Sequence, residues 1–454
     1  MMHVIIKEDL HDKQFVEERT EGFEELKAAV EKYTPEYVET ITGIPAAQLV
    51  EAARLYARAG VGSILYCMGI TQHTSGTDNV KSLANLAMLC GNLGMPGGGV
   101  NPLRGQKNVQ GACDMGGLPN VFTAYQPVNN DDTSQKMGAA WGVDGLSTSI
   151  GMKATEMIPA AHEGRLKALY IIGENPLVSD PDLNHAEDCL DHLELMVVQD
   201  LFMTETARKA DVVFPSRCFA EKEGTFSNTE RRVQRVRRAV DAPGEAWDDW
   251  KIVAELSGRM GYPMDYADSE AIFEEIRQVT PSYAGITYKR IETEGLHWPC
   301  LNEEHPGTPI LHSAQFTRGK GMFHGIEWQP PAEVPDQEFP LYLTTGRVLY
   351  QYHTGTMTML SEDLMERAPE SFVEISPQDA AACGVTDGGR VRIASRRGQI
   401  DARVKISPKA VTGTVFIPFH YAQGAANKLT NAALDPISGI PEYKVCAVKL
   451  LPAS

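Results

Sequence analysis

The sequence predicts an α/β protein in which doubly wound parallel-sheet domains are followed by a C-terminal β-barrel. Three observations carry that prediction. Short apolar runs alternate with helical segments through roughly the first half of the chain, the pattern of parallel strands joined by helical crossovers. Several of these runs end in polar turns, where open α/β sheets bind ligands. After residue 335 the style changes to strand-like runs with one short helix, the pattern of a barrel.

Each element follows in order. Phe23, Leu26, Ala29 and Val30 recur at helical spacing, and Thr34-Pro35-Glu36 reads as N-cap, N1 proline and first-turn acid. Residues 44–59 form a second helix, and 63–67 is an apolar run suited to a buried strand. A helix over 77–90 follows. Residues 101–116 have neither period and lie beside the run Gly97-Gly98-Gly99, so they read as a loop. A second series places strands at 166–172, 193–198 and 211–215, with helices at 183–190 and 204–209. Residues 283–335, rich in Pro, Gly and His, read as irregular linker. Strands at 341–344, 371–375, 390–395, 400–406 and 411–419, with a helix at 377–383, complete the chain. The resulting divisions are 1–106, 107–335 and 336–454.

The 454 residues are too many for one core. With 43% apolar and 22% charged residues the chain is globular in composition. A net charge of −18 argues against nucleic acid or an anionic membrane as partner, and no apolar run is long enough for a membrane span. Any anionic ligand must therefore be held by local basic groups against the global field. The eight cysteines, Cys67, Cys90, Cys113, Cys189, Cys218, Cys300, Cys383 and Cys446, form no CxxC pair, which excludes a local zinc or iron–sulfur motif. Scattered cysteines read as reduced, the usage expected of a cytoplasmic protein, and the residues from Met1 do not form a signal peptide. The chain opens abruptly, as if inside an element.

The segment Asn101-Pro-Leu-Arg-Gly-Gln-Lys-Asn-Val-Gln-Gly111 is crowded with hydrogen-bonding side chains. Arg104 could hold a small carboxylate through two parallel hydrogen bonds. An ordinary arginine on a solvated loop would have the same composition. Gln72 with His73, Gly173-Glu-Asn175, Gln199-Asp200, Glu221-Lys222 and 228–232 are polar turns after strands. Asn and Asp there could read a nucleobase or ribose and Lys a phosphate, although caps and solvated turns use the same residues. Residues 344–358, with Arg347, offer amides that could cradle a pyrophosphate or form a surface hairpin. Residues 427–438 with Glu442-Tyr-Lys444 mix donors with a strand, and a structural strap reads equally well. There is no Gly-x-Gly-x-x-Gly, Walker lysine loop, Gly-x-Ser-x-Gly or HExxH.

Taken together, Tyr66-Cys-Met-Gly-Ile-Thr-Gln-His73, the 101–116 loop, Val198-Gln-Asp-Leu-Phe-Met-Thr204, Glu221-Lys-Glu-Gly224, Asp435-Pro-Ile-Ser438 and Glu442-Tyr-Lys-Val-Cys-Ala-Val448 resemble the molybdopterin-dependent oxidoreductases, and within them the formate dehydrogenase catalytic subunits. The resemblance runs over nearly the whole chain. It implies a barrel of double-psi type and a bis(molybdopterin guanine dinucleotide) cofactor with molybdenum or tungsten. By motif, Met68, Gly69 and Gln72 would contact a pterin or its phosphates. Asn175, Gln199, Asp200, Lys222 and Asp249 would hold one dinucleotide arm, with Asp248 a close alternative to Asp249. Thr345, Gly346, Arg347, His353 and Thr354 would hold pterin and pyrophosphate, completed by Phe419, Asn427 and Lys444. Arg104 would be the catalytic arginine that orients formate, and Gln106 a neighbouring contact.

The implied chemistry is formate oxidation to carbon dioxide with two electrons and a proton, or its reverse. The family's four-cysteine motif and metal-ligating cysteine or selenocysteine have no counterpart in this sequence. A 4Fe-4S cluster is therefore expected only on a missing N-terminal portion, which would be a partner together with electron-transfer subunits, and this chain alone is expected to be inactive. Nitrate or another small oxyanion as substrate, and a cofactor-free scaffold, are the competing readings.

Overall fold

A computed structural model describes residues 1–452. They fall into two compact units, Met1–Gly105 with Thr308–Pro330, and Gln106–Gly307 with Pro331–Ser454. Among the described residues no helix is long and apolar enough to cross a membrane.

In the first unit, the helices Phe23–Val30, Pro35–Thr42 and Ala46–Arg58 form where helical spacing and the Thr34 cap predict them. Thr34 Oγ1 accepts the Tyr37 amide at 3.3 Å, and Pro35 sits at N1, where its missing N–H costs nothing. Ile5, Leu26, Ala53, Leu89 and Phe323 pack into one core. Phe323 comes from the 308–330 stretch, and Thr20–Glu21 pairs in parallel with Gly321–Met322. That stretch is thus folded against this unit by apolar burial that its Pro- and Gly-rich composition conceals. Strand β1 (Ser63–Tyr66) pairs in parallel with β2 (Gly99–Pro102). The segment read as structureless therefore begins as a strand, and it continues in the second unit as the helix Val109–Asp114.

Buried Asp114 anchors that helix. Its carboxylate accepts from Gln110 Nε2 (2.8 Å), Tyr125 Oη (3.0 Å), Tyr283 Oη (2.7 Å) and Trp298 Nε1 (2.7 Å). Four donors on one carboxylate meet the requirement that buried charge be fully hydrogen-bonded. The three aromatic donors lie far along the chain or in irregular segments, so local periodicity carries no trace of them.

The second unit holds a three-stranded parallel sheet, β3 (Ala168–Ile172), β4 (Leu195–Asp200) and β5 (Val212–Pro215), in that order. Between β4 and β5 the expected α-helix is a single 3-10 turn, Ala207–Lys209. Residues 228–232, read as a polar turn, lie at the bend of an antiparallel hairpin, Gly224–Ser227 with Arg232–Val236. The barrel consists of β6 (Leu341–Gly346), β7 (Phe372–Ile375), β8 (Arg390–Ala394), β9 (Gln399–Ile406), β10 (Thr414–Pro418) and β11 (Cys446–Pro452), closed in the order β6-β10-β7-β9-β8-β11. β6 with β10 and β7 with β9 are parallel, and the other four pairings are antiparallel. Closure removes every free edge. Inward residues alternate along β9, where Ile400, Ala402 and Val404 join Leu343, Ile393 and Val415 in the barrel core.

Ile393 is fully buried in that core, whereas Val411 is 71% exposed. Ile393→Ala should cost about 2–5 kcal/mol in urea unfolding with an unchanged denaturant slope, and Val411→Ala less than about 0.5 kcal/mol.

Candidate cofactor-binding site

In each unit the candidate residues sit at strand ends. In the first unit the chain leaves β1 at Cys67 and turns into the short helix Met68–Thr71, which carries Met68 and Gly69, with Gln72 as its C-cap. Gly76 begins the next helix so close to this turn that a Cβ would lie 2.1 Å from the Thr71 carbonyl oxygen, so only glycine fits. Arg104 follows β2. The Leu103 amide donates to the Tyr66 carbonyl at 2.7 Å and Cys67 Sγ to the Leu103 carbonyl at 2.9 Å. Arg104 and the Met68 turn therefore leave the carboxyl ends of one parallel pair. Arg104 is exposed, and its charge lies near enough to oppose the upward push of burial on the Tyr66 phenol.

In the second unit Gly173 turns the chain after β3 at φ 66°, a left-handed conformation that suits glycine. Asn175 comes next, buried and fixed. Its Nδ2 donates to Glu205 (2.8 Å), while its Oδ1 accepts from Thr206 Oγ1 (2.7 Å) and the Thr206 amide (3.2 Å). At the end of β4, Gln199 accepts from Tyr170 Oη at 2.6 Å and donates to Asp249 at 2.7 Å, and Asp249 also pairs with Lys222. Asp200 accepts the amides of Leu201 (2.6 Å) and Phe202 (3.3 Å). Asp248 pairs instead with Arg217 at 3.3 Å. Of the two aspartates, Asp249 is the one joined to Gln199 and Lys222.

The barrel supplies the opposite wall. Gln106, Glu174, Asn175, Asp200, His353 and Thr354 line one cavity of about 190 Å³ in this unit. Residues 347–357 form an irregular loop, not the hairpin the sequence also allowed. His353 is held at φ 48°, and its carbonyl accepts from Nδ1 of buried His420, whose Nε2 accepts the Val348 amide at 2.9 Å. These two bonds fix His420 as the neutral Nδ1–H tautomer. Phe419 stacks on His420 at 4.9 Å, with the Arg347 guanidinium 5.6 Å from its ring. Thr345 Oγ1 donates to the Tyr443 carbonyl (2.8 Å), and Lys444 Nζ donates to the Thr345 carbonyl (2.6 Å). Gly346 has no room for a side chain, because a Cβ would lie 2.5 Å from the Phe416 ring. Asn427 donates to the carbonyls of Val178 and Ser179, both at 3.0 Å.

The two walls differ electrostatically. Burial, with the charge of Asp249, raises the Asp200 carboxyl, and burial with Asp200 raises Glu174. Burial pushes Asp180 up to about 6, with Glu174 adding. On the barrel side burial lowers His353 to about 4, helped by the charge of Arg347.

Arg347 Nε and Nη2 and Asn427 Oδ1 are buried without a hydrogen-bond partner. Orphaned buried groups of this kind carry a penalty of about 1–3 kcal/mol each, which a bound ligand would relieve. A guanidinium with unpartnered nitrogens near Phe419 and His353, and carboxylates at the strand ends, are the group types a guanine dinucleotide would use for its pyrophosphate and its base edge. The residues present thus fit the implied cofactor.

Sequence reasoning did not single out Glu174, which lies in the polar turn 173–175, nor Ser216, Tyr352, Thr356, Met357 and His420. Ser216 follows the end of β5, so strand-end position was an available signal. Tyr352, Thr356 and Met357 lie inside the 344–358 segment. His420 carried no local signal, since its partners are 67 and 72 positions away.

Residues 1–259 match the molybdopterin oxidoreductase family and 341–447 the molydopterin dinucleotide binding domain. The chain is 51% identical over 456 residues to the F420-dependent formate dehydrogenase 1 subunit alpha of Methanococcus maripaludis, covering 99% of this chain and 67% of that protein. It is 41% identical to formate dehydrogenase H of Escherichia coli over 100% of this chain and 64% of that protein. Acetylene hydratase from Pelobacter acetylenicus shares the fold, with a TM-score of 0.77 at 19% identity over 100% of this chain and 69% of that one. The chain spans about two thirds of the length of these relatives.

His353 generates a prediction for the cofactor-free chain. Its folded pKa of about 4 lies below the ordinary 6.5, so between these values the unfolded chain binds more protons. The stability from this group is present above pH 6.5 and is lost as pH falls toward 4. An NMR titration of the ring proton should give a midpoint near 4, and a midpoint near 6.5 would contradict the burial argument. Matched over residues 1–259 and 341–447 by both family domains, the chain belongs to the molybdopterin oxidoreductase family.

Proposed function

We propose that this chain is the dinucleotide-binding portion of a molybdenum- or tungsten-dependent formate dehydrogenase that carries bis(molybdopterin guanine dinucleotide) and interconverts formate with carbon dioxide, two electrons and a proton. The observation that carries this reading is identity of 51% over 99% of the chain to a formate dehydrogenase alpha subunit. The Asn-Pro-Leu-Arg-Gly-Gln motif at 101–106 supports it over an oxyanion reductase.

Asn175, Asp200 and the Gln199–Asp249–Lys222 network would receive a guanosine end, because Asp200 offers acceptors on a preorganised turn. Arg347 would meet the pyrophosphate and so satisfy the two nitrogens now orphaned. His353, Thr354, Thr345, Gly346, Phe419, Asn427 and Lys444 would shape that arm, and Met68, Gly69, Gln72 and Gln106 would contact the pterins. When bound, the group supplies a redox metal that accepts two electrons. Arg104 would grip the formate carboxylate through both oxygens, fixing the C–H direction and leaving the carbon reactive. Turnover would use a cluster and a metal-ligating side chain supplied outside these residues, with electron-transfer subunits as partners in the cytoplasm.

The test uses an enzyme that includes those parts. Arg104→Ala should lower formate oxidation by at least roughly 100-fold while metal and pterin contents stay at wild-type levels. Arg347→Ala should instead lower the pterin dinucleotide content. Loss of cofactor in Arg104→Ala would make Arg104 a cofactor ligand, and nitrate reduction in place of formate oxidation would overturn the substrate.

A further inference from the structure

We propose that His162, Asp188 and His192 form a second metal site, separate from the cofactor cleft, for a first-row transition-metal cation of the zinc class. His162 is the last residue of the helix Ala154–His162, Asp188 lies on the helix Leu183–Leu190, and His192 follows that helix four positions after Asp188. One ligand atom from each falls within 4.8 Å of the others. His162 Nδ1 lies 3.3 Å from Asp188 Oδ2, and the rings of His162 and His192 are 4.4 Å apart at 62°. With metal–ligand bonds of about 2.0–2.2 Å, tetrahedral ligand atoms sit about 3.4 Å apart, so the His162–Asp188 edge already has the required length.

Nδ1 of His192 donates to the Asp188 carbonyl at 2.8 Å. That bond fixes the ring orientation and leaves the Nε2 lone pair available, the arrangement in which metal-bound histidines are typically held. The surrounding charge favours a cation. The nearby basic groups are engaged by carboxylates of their own: Lys209 by Glu187 and Asp191, both at 2.8 Å, and Arg165 by Glu163 at 2.6 Å. Two imidazoles and one carboxylate suit zinc over magnesium or calcium, which prefer all-oxygen sets. All three residues are exposed, so water can take the fourth position. His185, its ring 6.3 Å from that of His162, is turned to Cys189 Sγ at 3.5 Å and lies outside the ligand set.

A bound ion would clamp the two helices at their carboxyl-terminal ends. Ile158, Ala186, Cys189 and Leu190 from these helices form one core with Ile171, Met196 and Val198 of β3 and β4. The clamp would therefore stiffen the layer behind the strands whose ends carry Asn175, Gln199 and Asp200.

The experiment titrates the whole chain with ZnCl2 by calorimetry and thermal melting, with MgCl2 as control. One saturable zinc site is expected, with a melting temperature that rises with zinc concentration and no response to magnesium. His162→Ala and His192→Ala should each weaken zinc binding by about tenfold or more, since loss even of an outer partner costs about 10–100-fold. Because these side chains are exposed, metal-free melting temperatures should match wild type; Asp188→Asn, nearly isosteric, provides a second variant. His185→Ala should bind zinc normally. The proposal is overturned if wild type shows no saturable site, if the double variant His162→Ala/His192→Ala binds zinc as wild type does, or if His185→Ala loses it equally.

Discussion

Two peptide carbonyls just past β3, those of Val178 and Ser179, hold the cofactor cleft together. Asn427 donates to both at 3.0 Å and Tyr443 Oη to the second at 2.9 Å. Val178 is buried and Ser179 half-buried, so bonds from the barrel side satisfy carbonyls that have limited access to water. They fix the turn that carries Glu174 and Asn175 against the barrel loops that carry His353 and Thr354. Tyr443 also passes its own carbonyl to Thr345, so the same strap joins the sheet turn to the end of β6. The cleft exists because the polar groups of a turn and a barrel satisfy each other.

Within that frame the two walls divide the electrostatic work. Carboxylates on the sheet side are raised by burial and by one another, which makes them ready partners for N–H donors. The barrel side carries a guanidinium with two nitrogens left unsatisfied, beside a histidine that desolvation keeps neutral. A chain with net charge −18 would repel a polyanion at long range. Under the proposed function the orphaned Arg347 would be the local answer to that problem, a short-range attraction for a ligand seated deep enough to displace solvent.

Much of this was legible from residues alone. Helical spacing and the Thr34-Pro35 cap located the helices from Phe23 to Arg58 but not Met2–Lys7 or Lys13–Arg19, and continuous apolar runs located β3 to β5. The turns after β3 and β4 were marked by Asn175, Gln199 and Asp200. The 101–116 segment was read as irregular, yet it holds β2 and the helix Val109–Asp114. The reason is physical: that helix is fixed by Asp114 accepting from Tyr125, Tyr283 and Trp298, contacts that leave no period in the sequence. The 308–330 stretch hid its role in the same way, since Phe323 alone inserts into a distant core.

The sequence by itself determined the alternation of β3 to β5 with short connecting segments, most barrel strands and the strand-end location of the polar turns, because periodicity and turn chemistry are local properties. Tertiary structure decided which of those residues share a cavity, that Lys222 pairs with Asp249 while Asp248 pairs with Arg217, that His420 fixes the backbone of His353, and that His162 converges on Asp188 and His192. Those outcomes depend on distances between segments tens to hundreds of positions apart, set by core packing and by the satisfaction of buried polar groups, and no local pattern encodes them.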